Sequence, residues 1–145
     1  MEKYFSRVSE KTTLLHIVNR LKHIEEYDGM RNDITPEEEF LQVGYMKLNK
    51  GKKFKAHKHI WKPGEDEVIA QESFLVIRGK VKFIMYDLDD TILDEQILET
   101  GDCSITFQAG HNYEILEDDT IVYEYKTGPY KGQENDKVFI KKSSV

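Results

Sequence analysis

ESFLVIRGKVKFIMYDLDDTILDEQILETGDCSITFQAGHNYEIL, residues 72–116, is a run of short apolar segments cut by turn residues. ESFLVI (72–77) and KVKFIMYDL (80–88) flank Arg78-Gly79, and TILDEQIL (91–98) follows Asp89-Asp90. DCSITF (102–107) follows Thr100-Gly101, and NYEIL (112–116) follows Ala109-Gly110. Val, Ile, Phe and Tyr fit a pleated surface, while Gly, Asp and Asn tolerate the backbone angles of tight turns. Many short strands at even spacing predict an all-β sandwich or barrel. SFLVI is apolar at successive positions, as expected where two sheets pack together.

The pattern extends in both directions. FLQVGYMKL (40–48) and KFKAHKHI (53–60) precede it; TIVYEYK (120–126) and KVFI (137–140) follow, separated by Gly128-Pro129. The chain therefore reads as one domain, 1–145, with a barrel over 40–145 and an N-terminal extension over 1–39. In the extension, Leu14, Ile17, Val18, Leu21 and Ile24 approach helical spacing, although the β-branched residues also allow a strand. Thr35-Pro36-Glu37-Glu38-Glu39 predicts a single helical turn, with Thr35 as N-cap. His16 and His23 read as polar surface.

Composition narrows the function. The 145 residues carry a net charge of −6, with 27 acidic against 21 basic side chains. A nucleic-acid partner demands a dense basic face. The lysines at 50, 52, 53 and 55 and at 141 and 142 read instead as solvated faces, so no nucleic acid is expected. No apolar run is long enough to span a membrane. The first residues, MEKYFSRVSEKTT, lack the apolar core of a secretory signal, so the expected location is cytoplasmic. Cys103 is the only cysteine and reads as a small buried hydrophobe.

His57-Lys58-His59 carries the chemistry. Successive strand residues point to opposite faces, so both imidazoles share one face and Lys58 points away. Two neutral histidines on one face make half a metal site. By the same period, Lys55 shares that face, or it is a solvated edge lysine. Gln42 either points inward or bonds a neighbouring strand.

The wider spacing resembles the two motifs of the cupin superfamily. Gly51, His57-X-His59, Glu72 and Gly79 stand in the order of the first motif; Gly101 opens a segment ending at His111, as in the second. The resemblance implies a double-stranded β-helix, a jelly-roll barrel, in which His57, His59, Glu72 and His111 hold one divalent metal ion. Iron, manganese, nickel and zinc all suit that ligand set. The sequence departs from the pattern twice. The stretch IWKPGEDEVIAQ separates His59 from Glu72 and leaves Glu65, Glu67 and Gln71 as rival ligands. Phe107 replaces the usual proline of the second motif, and His111 comes one residue early.

Glu124, Lys126 and Gly128-Pro129-Tyr130 further resemble the C-terminal signature of WbuC-type cupin metalloproteins of surface-polysaccharide gene clusters. Hydropathy alone buries Tyr123 and Tyr125 and exposes Glu124 and Lys126; the resemblance reverses this and places the charges at the cavity. Tyr113 shares the His111 face by period two, or packs its ring in the core. Tyr130 is expected to lock the turn. Trp61 stacks on a sugar, covers the site as a lid, or packs on the barrel. The expected function is a metal-dependent sugar or nucleotide-sugar isomerase or epimerase of polysaccharide biosynthesis. Glu124, Lys126 and Tyr113 serve there as catalytic groups, and Gln42, Lys55 and Trp61 touch a carbohydrate substrate. An iron(II) dioxygenase and a non-enzymatic carbohydrate-binding or regulatory cupin are the alternatives. The resemblance also implies a homodimer.

Overall fold

A computed structural model describes residues 1–62 and 68–141. In chain order the elements are β1 (Glu2–Phe5), β2 (Leu14–Val18), α1 (Leu21–Glu26), β3 (Arg31–Asp33), β4 (Leu41–Leu48), β5 (His57–His59), β6 (Trp61–Lys62) and β7 (Val68–Ile69). There follow β8 (Glu72–Arg78), β9 (Lys80–Tyr86), β10 (Ile92–Glu99), β11 (Cys103–Thr106), β12 (Gly110–Ile115), β13 (Thr120–Thr127) and β14 (Lys137–Phe139). Two five-stranded antiparallel sheets, β10-β9-β12-β5-β14 and β11-β8-β13-β4-β3, face each other, and β1-β2 and β6-β7 form separate two-stranded sheets. From β4 onward the chain crosses repeatedly from one sheet to the other, which gives the expected double-stranded β-helix. No helix among the described residues is long and apolar enough to cross a membrane.

Alternation sorts the side chains into two cores. Met46, Phe74, Val76, Val81, Phe83, Tyr113, Ile115 and Val122 fill one end of the barrel between the sheets. Their neighbours in sequence point the other way. Val43, Tyr45 and Ile121 lie on the outer face of the second sheet, where Ile24 and Ile34 bury them. The N-terminal segment is thus a third layer over that sheet, and β13 is covered on both faces. Gly79 makes the β8–β9 turn at φ +95°, and a Cβ there would collide with Thr120.

Five sequence expectations change. Residues 12–24 are neither one helix nor one strand: β2 ends at Val18 and α1 starts at Leu21. The extension also does not lie wholly outside the barrel, because β3 pairs with β4 as an edge strand. Residues 35–39 form no helix; Thr35 Oγ1 accepts a hydrogen bond from Val43 N (2.9 Å) instead of capping. Cys103 is exposed, since β11 turns Ser104 and Thr106 inward. Within 53–60, only His57–His59 is strand: Phe54 packs into the core after an isolated Lys53–Glu114 bridge.

Candidate metal centre

Three strands bring four side chains to one place. β5 presents His57 and His59 on its inner face, and β12 pairs His111 directly with His57. β8 opens with Glu72 on the opposite sheet. One ligand atom from each of His57, His59, Glu72 and His111 lies within 4.8 Å of the others. Donors about 2.1 Å from a shared ion stand roughly 3–4 Å apart, so closure needs only small side-chain shifts. His111 is fully buried, and His59 and Glu72 nearly so. Glu65 and Glu67 lie outside the described residues.

The hydrogen bonds show which atoms are free. His59 Nε2 meets Glu72 Oε2 at 3.0 Å, and His111 Nε2 lies 3.3 Å from Glu72 Oε1. The Lys55 carbonyl takes His57 Nδ1 at 3.0 Å. His57 Nε2 and His111 Nδ1 are buried with no hydrogen-bond partner among the described residues, and His111 Nε2 has only the 3.3 Å contact with Glu72. Such orphans are costly unless something else binds them. Unpartnered imidazole nitrogens converging on a carboxylate fit a divalent cation, and the donor set suits one chemically.

Electrostatics favours a cation here as well. Burial, joined by the charge of His111, lowers His57 to about 4, so it is neutral near pH 7. Burial would also lower His59, but Asp136 and Glu72 outweigh it and raise this imidazole to about 9. Burial would raise Glu72, yet His111 and His59 hold its carboxylate well below the ordinary range. Without metal, His59 therefore carries a proton between two carboxylates, at the place where a cation belongs.

Asp136, which sequence reasoning missed, is almost wholly buried. Its Oδ2 lies 3.3 Å from His59 Nδ1 and 3.2 Å from Lys126 Nζ, and its Oδ1 lies 3.6 Å from Lys62 Nζ. Lys62 also donates to the Pro129 carbonyl (2.9 Å). A carboxylate on the outer nitrogen of a ligand histidine fixes the ring and raises its basicity.

The cluster lies at the edge of a cavity of about 400 Å³ whose lining includes His57, Glu72, Glu124, Lys126 and Lys137. Glu124 and Lys126 do face inward, because Tyr123 and Tyr125 belong to the side covered by the N-terminal layer. Arg31 grips Glu124 with two bonds, Nη2 to Oε1 at 2.7 Å and Nη1 to Oε2 at 3.3 Å, and also meets Asp33. Gly44 leaves room for this pair, since a Cβ there would stand 2.6 Å from Asp33 Oδ1. Tyr130 lines the cavity too, with Lys126 Nζ 5.1 Å over its ring.

The remaining candidates fare differently. Tyr113 is committed to the core: Phe74 stacks on it at 4.0 Å and Phe83 at 5.2 Å, and its hydroxyl bonds Ser104 Oγ at 2.7 Å. Burial, helped by Glu72, pushes its phenol well above the usual value. Gln42 borders the cavity, but its amide nitrogen binds the carbonyls of Pro36 (2.9 Å) and Glu39 (2.6 Å). Lys55 does not line the cavity; it precedes β5 and is exposed, with its Nζ 5.5 Å over the ring of Phe139, the cross-strand partner of His57. Trp61 is 58% exposed and does not line the cavity, because on β6 it is Lys62 that turns inward.

No protein-family model matches the sequence, and no curated protein matches it. Solved structures do. A Bacillus halodurans protein is 15% identical with a TM-score of 0.61, over 81% of this chain and 83% of that one. A Klebsiella pneumoniae protein with a double-stranded β-helix domain is 14% identical with a TM-score of 0.52, over 80% and 89%. The capsular polysaccharide assembling protein CapF of Staphylococcus aureus is 15% identical with a TM-score of 0.55, over 81% of this chain but 34% of its own. This chain thus matches about a third of CapF. These likenesses show the fold.

Proposed function

Starting from a chain with the cupin double-stranded β-helix fold, we propose that it binds one divalent metal ion through His57, His59, Glu72 and His111 and acts there on a small carbohydrate. The observation that carries this reading is the convergence of four buried donors, two of them imidazole nitrogens with no other partner. When bound, the ion supplies Lewis-acid polarisation of a carbonyl or a hydroxyl pair.

The chain's own groups supply the rest. Glu124 is an inward carboxylate whose orientation Arg31 fixes. It takes a proton from a carbon beside a carbonyl; the proton is then returned to the neighbouring carbon, with the hydroxyl proton passing to the carbonyl oxygen, or a proton is delivered to the opposite face of the same carbon. Lys126, steered by Asp136, faces the same cavity and donates to a substrate oxygen. Tyr113, stacked on Phe74 and Phe83 and bonded to Ser104, forms part of the cavity floor. Such a proton shift is isomerisation or epimerisation. The WbuC-type resemblance and the likeness to CapF, described as assembling capsular polysaccharide, support the carbohydrate reading.

The test is metal analysis of the purified protein, followed by a panel of keto-sugars, free and nucleotide-linked. About one ion per chain and turnover of at least one sugar are expected. No retained metal, or neither binding nor turnover across the panel, overturns the reading.

A further inference from the structure

Two walls of the cavity carry opposite charge. Toward β5 and β14, the Glu72 carboxylate lines the cavity with Lys126 and Lys137, and the buried Asp136 pairs with Lys126 and Lys62 outside the lining. Counted over the lysines and carboxylates alone, this wall has a positive excess among the described residues. Toward β3 and β4, Arg31 stands among Asp33, Glu37 and Glu124, and the excess is negative.

Lys137 is the unbalanced cation. It pairs with His59 in the β14–β5 register, so its side chain shares the inner face with the metal cluster. It lines the cavity together with His57 and is half-buried. Asp33 and Glu124 hold Arg31, and Asp136 holds Lys126, but Lys137 makes no ion pair or hydrogen bond among the described residues. An ammonium beside a site built for a dication repels it, and an anion between the two removes that repulsion.

We propose that the cavity selects a substrate with a carboxylate at one end and hydroxyls at the other, a sugar acid, whose carboxylate lies between Lys137 and the histidine cluster. Its hydroxyls face Glu124 and Glu37, which accept hydrogen bonds and repel a second anion. A nucleoside-diphosphate tail spreads further negative charge along the molecule and meets that repulsion. The inference rests on the metal reading for where the carboxylate sits. The positive excess of the β5–β14 wall stands without it.

The test titrates D-galacturonate, D-galactose and UDP-galactose into zinc-loaded wild type, Lys137→Met and Lys137→Arg by calorimetry. Galacturonate is expected to bind wild type at least about tenfold tighter than either other sugar, and Lys137→Met to lose about that factor. Lys137→Arg restores binding, and zinc content is the same in all three. No measurable galacturonate binding, no preference over galactose, tighter binding of UDP-galactose, or an unchanged Lys137→Met each overturns the inference. If wild type holds no zinc, the metal reading falls by itself. The same comparison on metal-free protein then decides: a retained, Lys137-dependent preference supports the inference, and its absence overturns it.

Discussion

His59 Nδ1 lies 3.3 Å from both the main-chain carbonyl and the carboxylate Oδ2 of Asp136, although 77 positions of sequence separate the two residues. The contact sets the ring so that Nε2 points at Glu72, 3.0 Å away. Asp136→Asn keeps the shape and removes the charge. Metal affinity is expected to fall about 10–100-fold by competition titration. Lys62→Met removes another ion pair of Asp136 without touching His59. It should lower thermal stability and leave metal affinity near wild type; equal losses in both variants would reduce Asp136 to a structural role.

His57 faces the cavity and is the ligand whose removal disturbs the core least. His57→Ala should fold and lose its metal, from about one ion per chain to nearly none by elemental analysis. Unchanged metal content would sink the ligand set.

Metal binding should release protons in a pH-dependent way. A ligand imidazole must be neutral, and in the metal-free protein His59 stays protonated until about pH 9. His57 is already neutral above about pH 4. Near pH 7, binding therefore displaces the His59 proton, and the release vanishes as pH rises through about 9. Toward pH 4, His57 must also give up a proton and affinity falls further. Calorimetry in buffers of differing ionisation enthalpy counts these protons; a release independent of pH would contradict the assignment.

Glu124→Gln keeps one of the two Arg31 bonds and removes the proton acceptor. A fall of about 10²–10⁴ in kcat with metal content unchanged is expected. Tyr113→Phe should instead cost about 1 kcal/mol of stability through the lost Ser104 bond and leave kcat alone. A large loss of kcat in Tyr113→Phe would return that phenol to the chemistry.

The strands from Glu72 to Thr127 were legible because short segments rich in Val, Ile, Phe and Tyr stand between strong turn residues. The four clustered side chains were legible because two lie on one short strand and the others stand at motif spacing. The first 39 residues were not, since their apolar positions serve the outside of a sheet and follow neither period for long. Asp136 left no local mark: a buried aspartate before a strand differs from an exposed one only through partners far away in sequence. Lys55 precedes the first residue of β5, so period two does not fix its side, and Glu124 and Lys126 misled hydropathy because the outer face of their strand is covered too.

Arg31 lies only in the edge strand β3, yet its guanidinium reaches Glu124 past the space left open at Gly44. A one-residue slip of β3 would send Arg31 to the opposite face and free Glu124. Replacing Gly44 with alanine would push against Asp33 and strain the same support. The outer layer and the cavity therefore cannot drift independently in evolution. An N-terminal segment exchanged with another chain would have to bring its own arginine in register, or arrive together with a new residue at position 124.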